Sequence, residues 1–149
     1  IQNENADVYA KNIFEGSEGS RFEIWSKGKF PDTGFKNCVF ENNVCIDSGY
    51  CWGYDVRPNK DCSCHLLMYG LECPICDITI CNNTFYRARV TPIFKSGGPS
   101  FIPDSYIITD NVFYVEPHQN IVLSENNDIA YQSFYEKISS KNHIIESTF

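Results

Sequence analysis

The residues best suited to chemistry are concentrated between positions 62 and 76, where the chain reads CSCHLLMYGLECPIC. This stretch contains four cysteines and one histidine. Thiolates and imidazoles bind zinc, whereas paired half-cystines do not, so the stretch is either a metal site or a disulfide site. Disulfides form in oxidising compartments, so the choice also bears on where the protein works.

The spacing of the cysteines argues against zinc. Structural zinc sites usually take ligand pairs two to four residues apart on a tight turn. Six and five residues separate Cys38, Cys45 and Cys51, and a single residue separates Cys62 from Cys64. The cysteine and histidines that follow position 76 form no ligand pair. We therefore expect no metal and no cofactor, and zinc binding remains the alternative.

The chain of 149 residues contains eight cysteines, and all of them lie within residues 38–81. An even number of cysteines in one short stretch is typical of a disulfide framework. We expect a disulfide-rich module here, between two cysteine-free flanks at 1–37 and 82–149. The expected half-cystines are Cys38, Cys45, Cys51, Cys62, Cys64, Cys73, Cys76 and Cys81.

The gaps from residue 38 to 73, C-x6-C-x5-C-x10-C-x-C-x8-C, resemble the epidermal growth factor (EGF)-like domain. The closing part matches that family's C-x-C-x5-G-x2-C signature, and the last two cysteines resemble the extra loop of the laminin or integrin variety. The resemblance covers about 44 residues. It implies a small hairpin held by four disulfides, Cys38–Cys51, Cys45–Cys62, Cys64–Cys73 and Cys76–Cys81.

The flanks carry the strand signals. Alternating apolar residues and β-branched or aromatic residues predict strands near residue 22 and in three later runs, 84–94, 105–116 and 120–124. Asp110 and Asn111 are expected to form a turn or bulge that splits the second of these runs. The stretch 126–141 predicts a helix with Ile129, Phe134 and Ile138 on its apolar side.

We therefore predict a mostly β fold. The flanks 1–37 and 82–149 would form a small antiparallel sheet, either as one domain or as two segments. The EGF-like module, 38–81, would be inserted between them, and a short helix would follow near the C-terminus. No internal repeat is recognised in the sequence.

Two features point to a surface that other molecules contact. Tyr50, Trp52 and Tyr54 recur at every second position and would share one strand face, which makes them a candidate partner-binding surface. The alternative is that these rings pack against the flanks. Asn82 begins an Asn-Asn-Thr glycosylation sequon, which favours passage through the secretory pathway.

Charge and motifs narrow the function. A net charge of −7 disfavours nucleic acid and anionic membranes as partners, and no apolar run is long enough to enter a membrane. No catalytic motif surrounds the histidines, and His65 is expected at the surface, so we do not expect an enzyme. The sequence predicts a secreted or cell-surface protein that binds an extracellular protein or receptor, in adhesion, receptor recognition or surface assembly. A diffusible receptor ligand and a carbohydrate-binding domain with a glycan partner are the alternatives.

Overall fold

The computed structural model describes residues 8–17, 19–24, 36–50, 53–56, 63–68, 77–95, 105–124 and 129–149. Within these residues the chain forms thirteen strands and two helices. In chain order they are β1 (Val8–Ala10), β2 (Ile13–Ser17), β3 (Phe22–Ile24), β4 (Val39–Glu41), β5 (Val44–Ser48), α1 (Gly53–Val56), β6 (Cys64–Met68), β7 (Ile78–Cys81), β8 (Thr84–Ala88), β9 (Thr91–Lys95), β10 (Tyr106–Thr109), β11 (Val112–Val115), β12 (Val122–Ser124), α2 (Ile129–Lys141) and β13 (His143–Glu146).

The strands form three sheets in which neighbours run parallel. Sheet 1 has the order β1-β4-β7-β10, sheet 2 the order β2-β5-β8-β11-β13, and sheet 3 the order β3-β6-β9-β12. Successive strands of the chain therefore lie in successive sheets, and each passage returns one strand further along. This arrangement is a β-solenoid, in which each coil stacks on the coil before it.

The last coil differs from the others. Four coils give one strand to each sheet, whereas the fifth gives α2 and then β13. Helix α2 lies against β10, and its Phe134 and Ile138 are buried in the common core. The ring of Phe134 meets that of Tyr106 edge-on, with 6.3 Å between the centroids. The helix therefore covers one end of sheet 1.

The mostly β composition and the short C-terminal helix are confirmed, but the antiparallel sheet is wrong. The strands within 38–81, β4 to β7, are distributed over all three sheets and pair with strands of both flanks. This stretch is therefore not the inserted EGF-like hairpin that we expected. Alternating apolar residues indicate a strand but not the direction of its neighbour, which explains the error.

The core is filled by inward side chains from the three sheets. Phenylalanine rings stack from coil to coil, with centroids 4.7 Å apart for Phe22 and Phe40, and 4.8 Å apart for Phe85 and Phe113. The rings of Phe40 and Phe85 are 6.4 Å apart and connect the two pairs. Stacked aromatic pairs of this kind add about 1 kcal/mol each beyond the burial of their area.

The corner between sheets 1 and 2 is a two-residue turn that recurs in the first four coils. Its first residue has a positive φ, between 54° and 59°, at Lys11, Asn42, Asn82 and Asp110. Its second residue is an asparagine, and a further asparagine follows α2. These side chains stack into a ladder of Asn12, Asn43, Asn83, Asn111 and Asn142.

Each inner asparagine of the ladder bonds the coils on both sides. The backbone N–H of Asn43 donates to Asn83 Oδ1 over 2.9 Å, and its Nδ2 donates to the same oxygen and to the Tyr9 carbonyl of the preceding coil. Asn83 and Asn111 repeat this pattern. A buried polar group without a partner costs about 1–3 kcal/mol. A side chain at the ladder position that cannot both donate and accept would leave backbone groups of the neighbouring coils without partners, and the turn would be less stable.

The ladder is the internal repeat that we did not recognise in the sequence. Consecutive ladder asparagines are 31, 40, 28 and 31 residues apart. The repeating pattern is an aromatic or aliphatic residue, two variable residues, Asn, one variable residue and an apolar residue. It was missed because the coil length varies by 12 residues between the longest and the shortest coil.

We predict that Asn43→Ala lowers the free energy of unfolding by about 3 kcal/mol, because it removes buried donors and an acceptor together. The control is Asn42→Gly, which changes the neighbouring exposed residue and retains its positive φ. This control should change stability by less than about 1 kcal/mol. Urea unfolding measures both, and equal effects would contradict a special role for the ladder position.

Gly49 is required for a different reason. It has a φ of +81°, and a Cβ added there would lie 2.3 Å from Ser63 Cβ. Gly16 also has a positive φ, +62°, but a Cβ added there meets nothing within 4 Å. Substitutions at the two glycines therefore distinguish the cost of a positive φ, which both share, from the cost of a steric clash, which only Gly49 would have.

We predict that Gly16→Ala costs about 1 kcal/mol, the strain of a left-handed alanine. Gly49→Ala should cost that amount plus about 1–3 kcal/mol, because Ser63 must move. Thermal unfolding of the two variants compares them. Similar losses would show that the close approach of Gly49 to Ser63 does not constrain the fold.

Candidate functional site

The candidate site is the outer face of sheet 2, which points away from the core. Side chains of sheet 2 alternate, and those facing inward include Phe85 and Phe113, which are fully buried. The outward positions form two rows across the five strands. The rows are Ile13, Val44, Thr84, Val112, His143 and Glu15, Ile46, Tyr86, Tyr114, Ile145.

Seven of these ten outward residues are apolar or aromatic, and we call this surface the sheet 2 face. Ile13 is 74% exposed and Ile145 is 41% exposed, so the face is accessible at both ends. The outward residues of sheet 1 are mixed, with Val8, Val39 and Ile107 beside Glu41, Thr79 and Thr109, and none of its outward residues is aromatic. The sheet 2 face therefore differs from the outer face of sheet 1 chiefly by its aromatic rings.

Three aromatic rings lie at the centre of the sheet 2 face. Tyr86 and Tyr114 are 5.4 Å apart between centroids, with their planes inclined by 60°. The ring of Phe149 meets that of Tyr86 edge-on, with 4.8 Å between the centroids. After β13 the chain stays beside β11, where the Ser147 N–H donates to the Val115 carbonyl. The rings form a tilted cluster rather than a coplanar platform.

An ion pair and a tyrosine border this cluster where the chain leaves sheet 2. Arg87 donates two hydrogen bonds of 2.6 Å to the carboxylate of Asp47, and this bond raises the pKa of the guanidinium. The guanidinium lies 4.6 Å from the centre of the Tyr50 ring. Burial, followed by the charge of Glu116, raises the pKa of Tyr50, so its hydroxyl stays protonated at neutral pH.

The three aromatic residues that we predicted to bind a partner, Tyr50, Trp52 and Tyr54, do not lie together on one strand. Tyr50 is half-buried and borders the sheet 2 face. Trp52 lies outside the described residues. Tyr54 belongs to the short helix α1, so the prediction that all three share one strand face is wrong. The aromatic residues that do share a strand face, Tyr86 and Tyr114, come from two different coils.

The described cysteines are thiols and not half-cystines. Cys38, Cys45, Cys64 and Cys81 take part in no disulfide bond, so each of the four predicted pairings is wrong. The other four cysteines, at 51, 62, 73 and 76, lie outside the described residues. Burial raises the pKa of Cys45 to about 12, an effect that exceeds the opposing charge of Arg21. This thiol is therefore unreactive at neutral pH.

Of the CSCHLLMYGLECPIC stretch, the structure describes residues 63–68. The described residues include no group of three or more histidines, cysteines and carboxylates that would hold a metal ion. Cys64 and His65 are both fully buried on β6, and the remaining cysteines of the stretch lie outside the described part.

His65 is buried in the interior, contrary to its expected place at the surface. Its Nδ1 lies 2.8 Å from Ser48 Oγ, and its Nε2 has no hydrogen-bond partner among the described residues. Burial, reinforced by the charge of Arg21, lowers the pKa of the imidazole to about 3. A serine and a histidine at this distance resemble a nucleophile and its base, but no solvent reaches either side chain.

Asn82 is exposed at the first position of the turn between β7 and β8, so the predicted sequon is accessible on the folded surface. The next residue, Asn83, belongs to the buried ladder. The sequence offered a signal for the sheet 2 face that we did not use. Counting from each ladder asparagine, the first and third residues after it face outward, and most of them are apolar.

No family model, curated protein or solved structure matches this chain. The site must therefore be interpreted from its own geometry.

We predict that His65 makes the protein acid-sensitive. The pKa is about 3 in the folded state against an ordinary 6.5, so below pH 6.5 the unfolded state binds the proton more tightly. The contribution to stability is complete above pH 6.5 and is lost progressively as the pH falls toward 3. His65→Asn should flatten this part of the stability profile, measured by urea unfolding at several pH values. An unchanged slope would assign the acid sensitivity to other groups.

Proposed function

We propose that this chain is a protein-binding module whose partner docks on the sheet 2 face. The observation that carries the proposal is the composition of that face, with seven apolar or aromatic residues at ten outward positions beside a core that is already complete. Apolar and aromatic side chains gathered on one exposed face support an interaction site, since aromatic residues are enriched among the residues that dominate interfaces.

The residue types at the centre of the face fit a protein partner. Tyrosine and arginine are among the side chains that most often dominate protein interfaces. Tyr86 and Tyr114 are 5.4 Å apart between ring centroids, and Arg87 follows Tyr86 on β8. Arg87 is already held by Asp47 and Tyr50, so little conformational entropy is lost when a partner packs on it. The face is thus organised before the partner arrives.

The geometry disfavours the carbohydrate alternative at this face. Sugars stack on aromatic rings that present a flat side, whereas Tyr86 is inclined by 60° to Tyr114 and by 68° to Phe149. Tilted rings leave crevices that receive apolar side chains. We therefore assign the face to a protein and not to a glycan chain.

The sheet 2 face is smaller than the area that a stable protein complex usually buries. Five strands about 4.8 Å apart, with about four residues each, give an area of roughly 300 Å². A stable complex buries about 800 Å² on each side, so the face would form the apolar centre of a larger contact. The polar rim would come from its borders, where Arg87 and Asp47 lie.

We propose further that the protein works outside the cell. The supporting observation is the exposed sequon at Asn82, beside the border of the sheet 2 face. Buried thiols are compatible with an oxidising compartment, because Cys38, Cys45 and Cys64 are fully buried and shielded from oxidants. No helix among the described residues has the length and apolar character needed to cross a membrane.

Site-specific photocrosslinking tests the partner-binding face. A photoreactive phenylalanine replaces Tyr114 on the face, and in a second protein it replaces the exposed Gln132 on α2. Both proteins are applied to cells of the source organism and illuminated. We expect a discrete protein adduct from position 114 and none from position 132, because only the first position would lie inside the interface.

Competition provides the control. Excess unmodified protein should abolish the adduct, whereas the double variant Tyr86→Ser and Tyr114→Ser should compete at least about tenfold less well, as expected for loss of about 1.4 kcal/mol or more. Thermal unfolding shows whether the variant is folded. Equal labelling from the two positions, or full competition by the variant, would disprove the proposed face.

A further inference from the structure

Three residues that follow β13, Ser147, Thr148 and Phe149, lie beside the sheet 2 face, and we call them the strap. The Ser147 N–H donates to the Val115 carbonyl over 2.9 Å, so the strap begins next to β11. The ring of Phe149 meets that of Tyr86, which belongs to β8. Because β11 lies between β8 and β13 in sheet 2, this ring contacts a strand with which β13 does not pair.

The strap is held by few contacts. Thr148 is exposed, and neither Thr148 nor Phe149 makes a hydrogen bond within the part of the chain that the structure describes. Phe149 is 40% exposed and Tyr86 is 37% exposed, whereas Phe85 and Phe113 on the inner side of the same sheet are fully buried. Partial burial of one ring stabilises the strap, and the backbone entropy of three ordered residues opposes it. The strap can therefore leave the face while the sheet stays folded.

The strap covers a residue at the centre of the sheet 2 face. Tyr86 is the neighbour of Tyr114, and the Phe149 ring meets Tyr86 at 4.8 Å between centroids with the planes inclined by 68°. Edge-on contact of this kind is an arrangement that aromatic pairs prefer. A side chain of another protein cannot occupy this side of Tyr86 while the Phe149 ring fills it.

We propose that the strap is an intramolecular competitor of the partner, and that an aromatic side chain of the partner replaces Phe149 on Tyr86. This inference rests on the proposed function and adds the chemistry of the partner, which presents a phenylalanine or tyrosine ring edge-on to Tyr86. The apparent affinity of the partner is lowered by the fraction of molecules in which the strap is closed. Ligands that bind more weakly than the strap are thereby excluded from the face.

Hydrogen exchange of the chain alone tests whether the strap opens. The internal reference is the His143 N–H, which donates to the Asn111 carbonyl over 2.8 Å at the other end of β13. After correction for intrinsic rates, the Ser147 N–H should exchange at least about tenfold faster than the His143 N–H, because opening of the strap exposes only the first. Phe149→Ser should accelerate exchange at Ser147 by a further factor of about three or more and leave His143 unchanged.

The photocrosslinking assay tests the competition with the partner. The protein with a photoreactive phenylalanine at position 114 labels the partner, and unlabelled variants compete for it. Phe149→Ser should compete at least about threefold better than the original protein, which corresponds to a strap that is open in about a third of the molecules. The matched control is Ile107→Ser, which removes an apolar side chain that is 49% exposed on sheet 1 and should compete like the original protein.

Failure of this inference and failure of the proposed function give different results. Absence of any adduct from position 114 would refute the proposed function and the competition together. An adduct for which Phe149→Ser competes equally well or less well than the original protein would overturn the strap alone. Equal exchange at Ser147 and His143, or no acceleration in Phe149→Ser, would also overturn it, because the strap would then be a fixed part of the sheet.

Discussion

The hydrogen bonds of the asparagine ladder are the constraint on which the rest of the structure depends. A turn of two residues lets the chain change sheets at once, but it buries backbone groups that no strand can pair. The ladder pairs them with both neighbouring coils, since an asparagine side chain donates and accepts. Once the asparagine is fixed, sheet 1 ends two residues before it and sheet 2 begins one residue after it.

This register explains why cysteines lie where aromatic and aliphatic residues lie in other coils. Cys45 follows its ladder asparagine by two residues, as Phe85 and Phe113 do, and all three face the core. Cys38 stands five residues before Asn43, the position that Ile78 takes in the next coil. The gap between these cysteines is thus set by the ladder, and the thiols act as small apolar side chains.

Much of the local structure could be predicted from the sequence. Alternation of apolar residues located β8 to β12, and Asp110 with Asn111 forms the turn between β10 and β11. The predicted apolar side of α2 is confirmed at Phe134 and Ile138, which are buried in the core. Pairing direction could not be predicted, because strands with the same alternation form parallel or antiparallel sheets. The resemblance in cysteine spacing then favoured a disulfide hairpin over a solenoid.

The residues of the candidate site could be predicted only in part, because a local pattern does not show which coils will stack. Tyr50, which stays a predicted partner-binding residue, borders the sheet 2 face. Tyr86 and Tyr114 follow it by 36 and 64 positions, so no local pattern connects the three residues.

The arrangement of the sheet 2 face depends on the asparagine ladder. Each coil contributes one residue to each outward row, and the rows are aligned because the ladder holds successive coils in register. A slip of one residue in any coil would turn its outward pair toward the core. Tyr86 and Tyr114 are therefore neighbours only while Asn83 and Asn111 are bonded. Under the proposed function, binding at the face would therefore depend on ladder residues that lie outside the face itself.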